Sequence, residues 1–213
     1  MAGKITALVA QKRNKERVNV YIDGEFAFGL ALIEALKLHK GQTLTDEEID
    51  RLKALDEVEV AHERALNLLS YRPRSTDEVR RKLQESNKFS ENAVDKALEK
   101  LERAGLLDDE AFARYWVENR ERFSPRSARA LRHELRQKGV SDRVVEDAVT
   151  SLDEEDAAYR AAQAKLSRYA NAEEDEFRKK LGGYLSRRGF SYGTVRDVLD
   201  RIWNEIHTQT NSL

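Results

Sequence analysis

The sequence predicts a mainly α-helical protein of three tandem three-helix modules in an elongated array, preceded by a small N-terminal β-meander plus helix. Ten glycines and two prolines in 213 residues are about half the average share, which argues against the many turns of an all-β sandwich or barrel. From about residue 57 onward the apolar residues recur with helical spacing, and this pattern occurs three times. Strand-like alternation is confined to the first forty residues.

The first forty residues predict a three-stranded meander followed by a short helix. Val18, Val20 and Ile22 alternate with other side chains, which indicates a strand with one buried face. The dipeptide Asp23-Gly24 is typical of a tight hairpin turn. We expect a short helix over about residues 30–38. A capping box at Thr45-Asp-Glu-Glu48 then predicts a further, acidic helix.

The helical repeats have a period of 50–51 residues. Three serines mark equivalent positions in them: Ser90, Ser141 and Ser191. Each is a favoured helix N-cap, and apolar residues follow each one at intervals that form a single helical face. Two further helices precede each serine, the first of them at about residues 57–70, 109–122 and 154–168. The apolar spacing predicts that the cores include Trp116, Leu131, Leu135, Val145 and Leu199.

These patterns divide the chain into five parts. They are the meander with its helices, three modules and a flexible tail, at residues 1–55, 56–107, 108–152, 153–207 and 208–213. A module of about 50 residues buries a modest core, so we expect neighbouring modules to pack on one another. The aromatic residues near the module ends, Tyr71, Phe123 and Tyr192, are predicted to take part in that packing.

The composition argues against several classes of functional site. The absence of cysteine excludes disulfides, thiolate metal sites and cysteine catalysis, and it suits a reducing cytosol. The four histidines lie on separate predicted elements, and no phosphate-binding glycine loop is present. We therefore expect no enzymatic activity, no metal and no cofactor. No apolar run reaches the ~18–20 residues that a membrane-spanning helix needs.

The basic residues carry the strongest functional signal. The net charge is only −1, but residues 111–143 hold nine bases against four acids. Four arginines of the second module fall within an arc of about 120° on one predicted helix: Arg126, Arg129, Arg132 and Arg136. Matching basic residues occur in the first and third modules, at Arg72, Arg74, Lys179, Lys180, Arg187 and Arg188. Such a surface suits a nucleic-acid backbone or an acidic protein surface.

Several segments resemble the RecX family of recombinase regulators. The resemblance covers about residues 60–206, and the first 55 residues fall outside it. The segments that carry it are Leu68-Leu-Ser-Tyr-Arg-Pro-Arg-Ser75, Gly105-Leu-Leu-Asp-Asp-Glu-Ala-Phe-Ala-Arg-Tyr-Trp-Val-Glu-Asn-Arg120, Leu135-Arg-Gln-Lys-Gly-Val140 and Lys180-Leu-Gly-Gly-Tyr-Leu-Ser-Arg-Arg-Gly-Phe-Ser-Tyr192.

The resemblance implies a tandem three-helix fold and a non-enzymatic role. It implies binding to the RecA filament on single-stranded DNA, within the filament groove, with direct DNA contact also suggested. It further implies inhibition or modulation of the ATPase, strand-exchange and co-protease activities of RecA. The basic residues named above are then our expected contact surface.

Two other functions remain open on the sequence. A three-helix module can hold a helix-turn-helix, so the chain could be a stand-alone DNA-binding protein, although its near-zero net charge argues against this. It could also be a helical-repeat scaffold for other proteins. No heptad seam indicates a dimer, and we expect a monomer.

Overall fold

The computed structural model describes residues 3–12, 14–85, 87–169 and 172–210. The chain divides into two compact units. The first unit holds Met1–Arg74 and Glu78–Leu107, and the second holds Ser75–Asp77 and Asp108–Leu213. The predicted fold class is confirmed, since a small antiparallel sheet precedes a series of helices that form three-helix modules.

The first unit begins with an antiparallel sheet of four strands in the order β3-β2-β1-β4. The strands are β1 (Gly3–Ala10), β2 (Arg17–Ile22), β3 (Glu25–Ala31) and β4 (Thr43–Leu44). Asp23 and Gly24 join β2 to β3 with φ angles of +50° and +92°, as a hairpin turn with two left-handed residues requires. The two-residue strand β4, which pairs with β1, was missed by the sequence analysis.

The predicted helix over residues 30–38 is shorter than expected. Helix α1 (Leu32–Ala35) is a single turn, because β3 continues to Ala31 in pairing with β2. One face of the sheet packs into a core that includes Ile5, Val20 and Leu30.

Helix α2 (Asp46–Tyr71) is one uninterrupted helix of 26 residues. Thr45 and Glu48 form the predicted capping box at its start. The sequence analysis placed a separate helix at residues 57–70 and a domain limit after residue 55, and α2 passes through that limit. No glycine or proline lies within α2 to interrupt it. The same helix therefore packs against both β3 and α4.

The first module is completed by α3 (Thr76–Gln84) and α4 (Glu91–Arg103), which pack with α2. Its core includes Ala65, Val79, Leu83 and Leu98. The residues of α3 that belong to the second unit are its first two, Thr76 and Asp77.

The second unit contains two further modules. The second module is α5 (Asp109–Phe123), α6 (Ala128–Gln137) and α7 (Asp142–Val149), and the third is α8 (Glu154–Leu166), α9 (Glu174–Arg187) and α10 (Tyr192–Thr210). Each has its own apolar core, and Leu152 packs against both. Helix α10 includes the first half of the predicted flexible tail at residues 208–213, and residues 211–213 lie outside the described part of the chain.

The predicted core residues differ in burial. Leu131, Leu135, Val145 and Leu199 are buried. Trp116 is only partly buried and packs at the edge of the second module's core. Its indole nitrogen carries a hydrogen bond, which explains why the ring stays near the surface.

A repeated contact, which we call the joint, connects helical segments within the second unit. Ser75 donates its hydroxyl to the carbonyl of Lys138, and Thr76 donates its N–H to the Asp109 carboxylate at 2.8 Å. Fifty-two positions later the chain repeats the arrangement. The Ser127 N–H bonds to the carbonyl of Arg188 at 3.2 Å, and the Ala128 N–H bonds to the Glu154 carboxylate at 2.7 Å.

Each joint consists of the same two parts. One part is the start of a middle helix, where Ser75 or Ser127 is buried. The other part, which we call the socket, belongs to the next module. It consists of the turn that follows the middle one of that module's three helices, together with an acid in the first turn of that module's first helix. Gly139 and Gly189 take φ angles of +76° and +94° in these turns. The socket supplies acceptors for N–H groups that a helix start leaves unpaired.

A buried ion pair joins the sheet to α2 in the first unit. Arg17 Nη2 lies 2.7 Å from Asp56 Oδ2, and the two side chains are 12% and 15% exposed. Burial raises the pKa of the Asp56 carboxyl above its ordinary value, and the hydrogen bond from Arg17 opposes that rise. The carboxylate therefore depends on Arg17 to stay charged in this position.

Replacement of Arg17 by methionine should destabilise the protein in a pH-dependent way. Removing one partner of a buried pair costs about 3 kcal/mol. Without Arg17 the pKa of Asp56 in the folded state rises further above its unfolded value. The loss in the free energy of unfolding is therefore largest at neutral pH. It shrinks as the pH falls below the pKa of Asp56 in the folded variant. Urea unfolding of R17M and the native chain at several pH values measures this, and a constant difference would contradict it.

The close packing of the joint predicts a strong effect of a methyl group at Gly189. A Cβ there would lie 2.5 Å from Ser127 Oγ and 2.9 Å from Ala130 Cβ. We expect Gly189→Ala to lower the free energy of unfolding by about 3 kcal/mol. Gly105→Ala is the matched control, since Gly105 also has a positive φ of +67° but open space around it. Strain alone should cost about 1 kcal/mol there. Equal losses in urea unfolding would contradict a tightly packed joint.

Candidate functional site

The predicted arginine stripe of the second module does not lie on one helix. Helix α6 begins at Ala128, with Ser127 as its N-cap, so Arg126 precedes the helix. Pro125 and the capping serine set that start, because the Ser127 hydroxyl accepts the N–H of Ala130. Arg129, Arg132 and Arg136 do lie on α6. Arg126 therefore lies in the turn before α6.

Arg126 belongs to an ionic cluster around Glu134. Its Nε lies 2.9 Å from Glu134 Oε1. The other oxygen of Glu134 accepts hydrogen bonds from Trp116 Nε1 and Arg120 Nε, each at 2.8 Å. The guanidinium of Arg120 also stacks 4.5 Å from the Trp116 ring centre. Arg126 thus has an ion-pair partner inside its own module, and 36% of its side chain is exposed.

Arg132 and Arg136 pair with acids of α7. Arg132 Nε contacts both oxygens of Glu146, at 3.0 and 2.8 Å. Arg136 Nε donates to Asp142 at 2.6 Å, and this hydrogen bond raises the pKa of Arg136. These pairs tie α6 to α7 and neutralise half of the predicted stripe.

Three further predicted contact residues have structural partners. Arg72 makes a two-pronged ion pair with Glu78 at 3.0 and 3.1 Å, and Arg74 donates to the carbonyl of Leu68 at 3.0 Å. Arg188 bridges the joint, since its Nη1 donates to Ser124 Oγ and to the carbonyl of Pro125 at 2.8 and 3.0 Å. These contacts fix turns, and of the three charges only that of Arg72 is paired with an acid, Glu78, in the described part of the chain.

Four of the ten predicted residues are exposed and have no ion-pair partner within the described ranges. They are Arg129 on α6 and three residues of α9, Lys179, Lys180 and Arg187. Arg129 follows Ser127 by two residues and Arg187 directly precedes Arg188, and Ser127 and Arg188 are joined by a hydrogen bond. Lys180 and Arg187 are seven residues apart, so they share a face of α9. We call Arg129, Lys180 and Arg187 the free basic patch.

Exposed aromatic rings adjoin the same joint. Phe123 is 70% exposed and Tyr192 is 83% exposed, so the prediction that they pack between modules is wrong. Tyr71, at the corresponding place in the first module, is 82% exposed. Arg122 stacks 5.0 Å from the Phe123 ring centre. Exposed rings beside unpaired cations are a common surface for single-stranded nucleic acid, since bases stack on the rings.

The sequence analysis missed the acids that neutralise the arginines. Glu134 and Glu146 face arginines that lie on other elements or on neighbouring turns. The alternation of acidic and basic stretches was the signal that could have indicated such pairing. In the described part of the chain, no three metal-ligating side chains lie together. None of its helices is both long enough and apolar enough to span a membrane.

Comparison with known proteins identifies the family. Family models match four parts of the chain: the Regulatory protein RecX N-terminal domain at residues 3–45, and the first, second and third RecX three-helix domains at residues 61–101, 108–149 and 153–199. The chain belongs to the RecX family. The expectation that the first 55 residues fall outside the resemblance is wrong, because the N-terminal domain of the family covers the sheet.

Related RecX proteins are similar over most of their length. A protein of Bacillus licheniformis described as regulatory protein RecX is 32% identical over 200 residues, which cover 92% of this chain and 76% of the relative. A Clostridium botulinum protein of the same description is 31% identical over 208 residues, covering 94% and 97%. The family is thus one of regulatory proteins.

Solved RecX structures have the same fold. A crystal structure of regulatory protein RecX superposes with a TM-score of 0.72 at 30% identity and covers 93% of this chain and 99% of that one. A RecX structure from Lactobacillus salivarius gives a TM-score of 0.58 at 25% identity, with 68% and 96% covered.

The cluster around Glu134 predicts a measurable loss when its charge is removed. Glu134→Gln should lower the free energy of unfolding by about 2 kcal/mol, because Trp116 and Arg120 lose a charged acceptor and Arg126 loses its ion-pair partner. The matched control is Glu99→Gln, whose exposed pair with Arg103 is worth about 0.3–0.5 kcal/mol. Urea unfolding compares the two variants, and similar losses would show that Glu134 is not a structural acceptor.

Proposed function

We propose that the chain is a non-enzymatic regulator of the RecA recombinase, and that it inhibits RecA by binding the filament that RecA forms on single-stranded DNA. Membership of a family of regulatory proteins supports this proposal. The single observation that carries it is the free basic patch beside exposed aromatic rings at the joint. Such a surface suits a partner that combines a polyanion with protein.

The proposed mechanism needs binding alone. A helical array that lies in the filament groove would contact the phosphate backbone through Arg129, Lys180 and Arg187. Phosphate contacts of this kind are strong at low salt and weaken as salt rises. An occupied groove would impede ATP hydrolysis, strand exchange and co-protease activity together, because all three depend on the same filament.

The ten predicted contact residues divide by role in this proposal. Arg129, Lys180 and Arg187 make the contacts, and Lys179, next to Lys180 in the chain, adds a further exposed positive charge. Six others have structural contacts within their own units and hold turns or helix pairs there: Arg72, Arg74, Arg126, Arg132, Arg136 and Arg188. A monomer suffices for this role. No cofactor is required, since no bond is made or broken.

The test is ATP hydrolysis by RecA on single-stranded DNA, with the protein added after filaments have formed. We expect inhibition below one protein per RecA. Reversal of the free basic patch in R129E/K180E/R187E should weaken inhibition by about tenfold or more, since three phosphate contacts are lost. The matched control K15E/K40E/K96E changes the net charge equally at exposed residues of the first unit and should stay within about twofold of the native chain.

Two outcomes would redirect the proposal. Equal potency of the patch variant and the control variant would mean that the contact lies elsewhere. Tight binding to bare single-stranded DNA at ~150 mM salt, where screening acts beyond about 8 Å, together with no effect on RecA, would favour a stand-alone DNA-binding protein. The exposed rings of Phe123 and Tyr192 are the observation that keeps this second function in view.

A further inference from the structure

A cleft of about 600 Å³ opens in the first unit between β3 and α2. Its walls include Phe28 and Gly29 from β3, Glu57 and Val60 from α2, and Lys88 and Phe89 from the turn after α3. The proposed function makes no use of this cleft. Its position within the repeat indicates what it can bind.

Glu57 occupies the place in the first module that Asp109 and Glu154 occupy in the next two. Each acid lies four residues before a fully buried alanine of its module, namely Ala61, Ala113 or Ala158. Asp109 and Glu154 are the socket acids that accept the first N–H of a middle helix. Glu57 is therefore the socket acid of the first module.

Phe89, on another wall of the cleft, supports the same correspondence between the first module and the next two. It directly precedes Ser90, as Val140 precedes Ser141 and Phe190 precedes Ser191. Val140 and Phe190 are each 4% exposed, whereas Phe89 is only partly buried. Asn87 has a φ of +47° in this turn, so it ends α3 with a left-handed residue as Gly139 and Gly189 end α6 and α9.

Within the described part of the chain, no helix start is hydrogen-bonded in the socket of the first module. The acid of this socket bonds within its own module. Glu57 accepts hydrogen bonds from the N–H and the hydroxyl of Ser90. The other two socket acids accept the N–H of a middle-helix start, whereas Glu57 accepts none from such a start within the described ranges. The cleft is thus a third copy of the socket, with its recognition surface exposed.

The occupied sockets show what this surface recognises. Each holds the start of the middle helix from the preceding module: α3 in one and α6 in the other. The remaining middle helix is α9. Its N-cap, Glu173, makes no side-chain capping bond, and within the described ranges no other module donates or accepts a hydrogen bond at its first turn.

The charges of the cleft and of the α9 start are complementary. Lys53, Arg64 and Lys88 line the cleft without ion-pair partners in the described part of the chain, against two acids that likewise have none, Glu57 and Glu63. The start of α9 carries the exposed acids Glu173, Asp175 and Glu176. Attraction between these groups would orient the helix start toward the cleft.

We propose that the cleft binds the start of α9 from a second copy of this chain, so that copies join head to tail. The contact continues the chain's own repeat, with the third module of one copy entering the socket of the first module of the next. Such an interface is heterologous and leaves a free socket and a free helix start at the ends. Exposed charge pairs give it low affinity, so copies associate chiefly when they are concentrated on a common support.

Cross-linking between two single-cysteine variants tests the proposal, because the chain has no cysteine of its own. K88C and a size-tagged E173C are mixed and treated with a short bismaleimide. We expect the mixed dimer to form about tenfold faster than in the matched control mixture of K96C with E173C. Lys96 is an exposed lysine on α4 of the same unit, and it does not line the cleft.

Charge reversal supplies the second readout. Adding K53E and R64E to K88C should reduce the cross-linking rate to that of the control mixture, because the acidic helix start then meets like charge. A K88C rate within twofold of the control overturns the proposal, and so does a fast rate that the charge reversal leaves unchanged. The mixture contains neither RecA nor DNA, so its outcome is independent of the proposed function.

Discussion

The unpaired N–H groups at helix starts are the constraint on which the modular part of the structure depends. A helix leaves its first N–H groups without partners inside the helix. Here the acceptors come from the next part of the chain, as Asp109 and Glu154 show. The buried serines Ser75 and Ser127 lie at the same contacts. A module of this size has a small core, so its stability depends on a neighbour that completes its hydrogen bonds.

The joint also determines which cations remain available. Arg188 is fixed by Ser124 and Pro125, and Arg126 lies beside Glu134 just before the helix start. Arg129 and Arg187, which are close to these residues in the chain, carry exposed charges. A structural contact that repeats along the chain therefore positions the free basic patch. The total of 38 basic residues against 39 acidic ones gives no indication of this division.

Much of the fold could be predicted from the sequence because it rests on local signals. The spacing of Leu131, Leu135 and Val145 predicts burial, and all three are buried. Ser90 and Ser191 accept N–H groups at helix starts, as N-cap serines do. The two-residue strand β4 and the continuity of α2 could not be predicted. The first is too short to show alternation, and the second depends on packing against both β3 and α4.

The candidate site was harder to predict, because ion pairing is decided in three dimensions. Arg132 and Glu146 are 14 residues apart on separate helices, and only the packing of α6 on α7 brings them to 2.8 Å. A helical arc computed from the sequence shows where arginines point but not what they meet. The exposure of Phe123 and Tyr192 is likewise set by packing, since the joint closes through serine and glycine rather than through aromatic rings.

The predicted contact residues can be ranked by the free energy needed to release each one from its partner in the structure. Arg129, Lys180 and Arg187 need no release. Arg136 is 49% exposed and its partner Asp142 79% exposed, so exchanging that carboxylate for a phosphate costs little, since exposed ion pairs are weak. Glu134 is only 14% exposed, and freeing Arg126 would leave its carboxylate with one partner fewer in a poorly solvated place. A polyanion approaching α6 and α9 should therefore engage the free patch first and Arg136 next, with Arg126 remaining part of the scaffold.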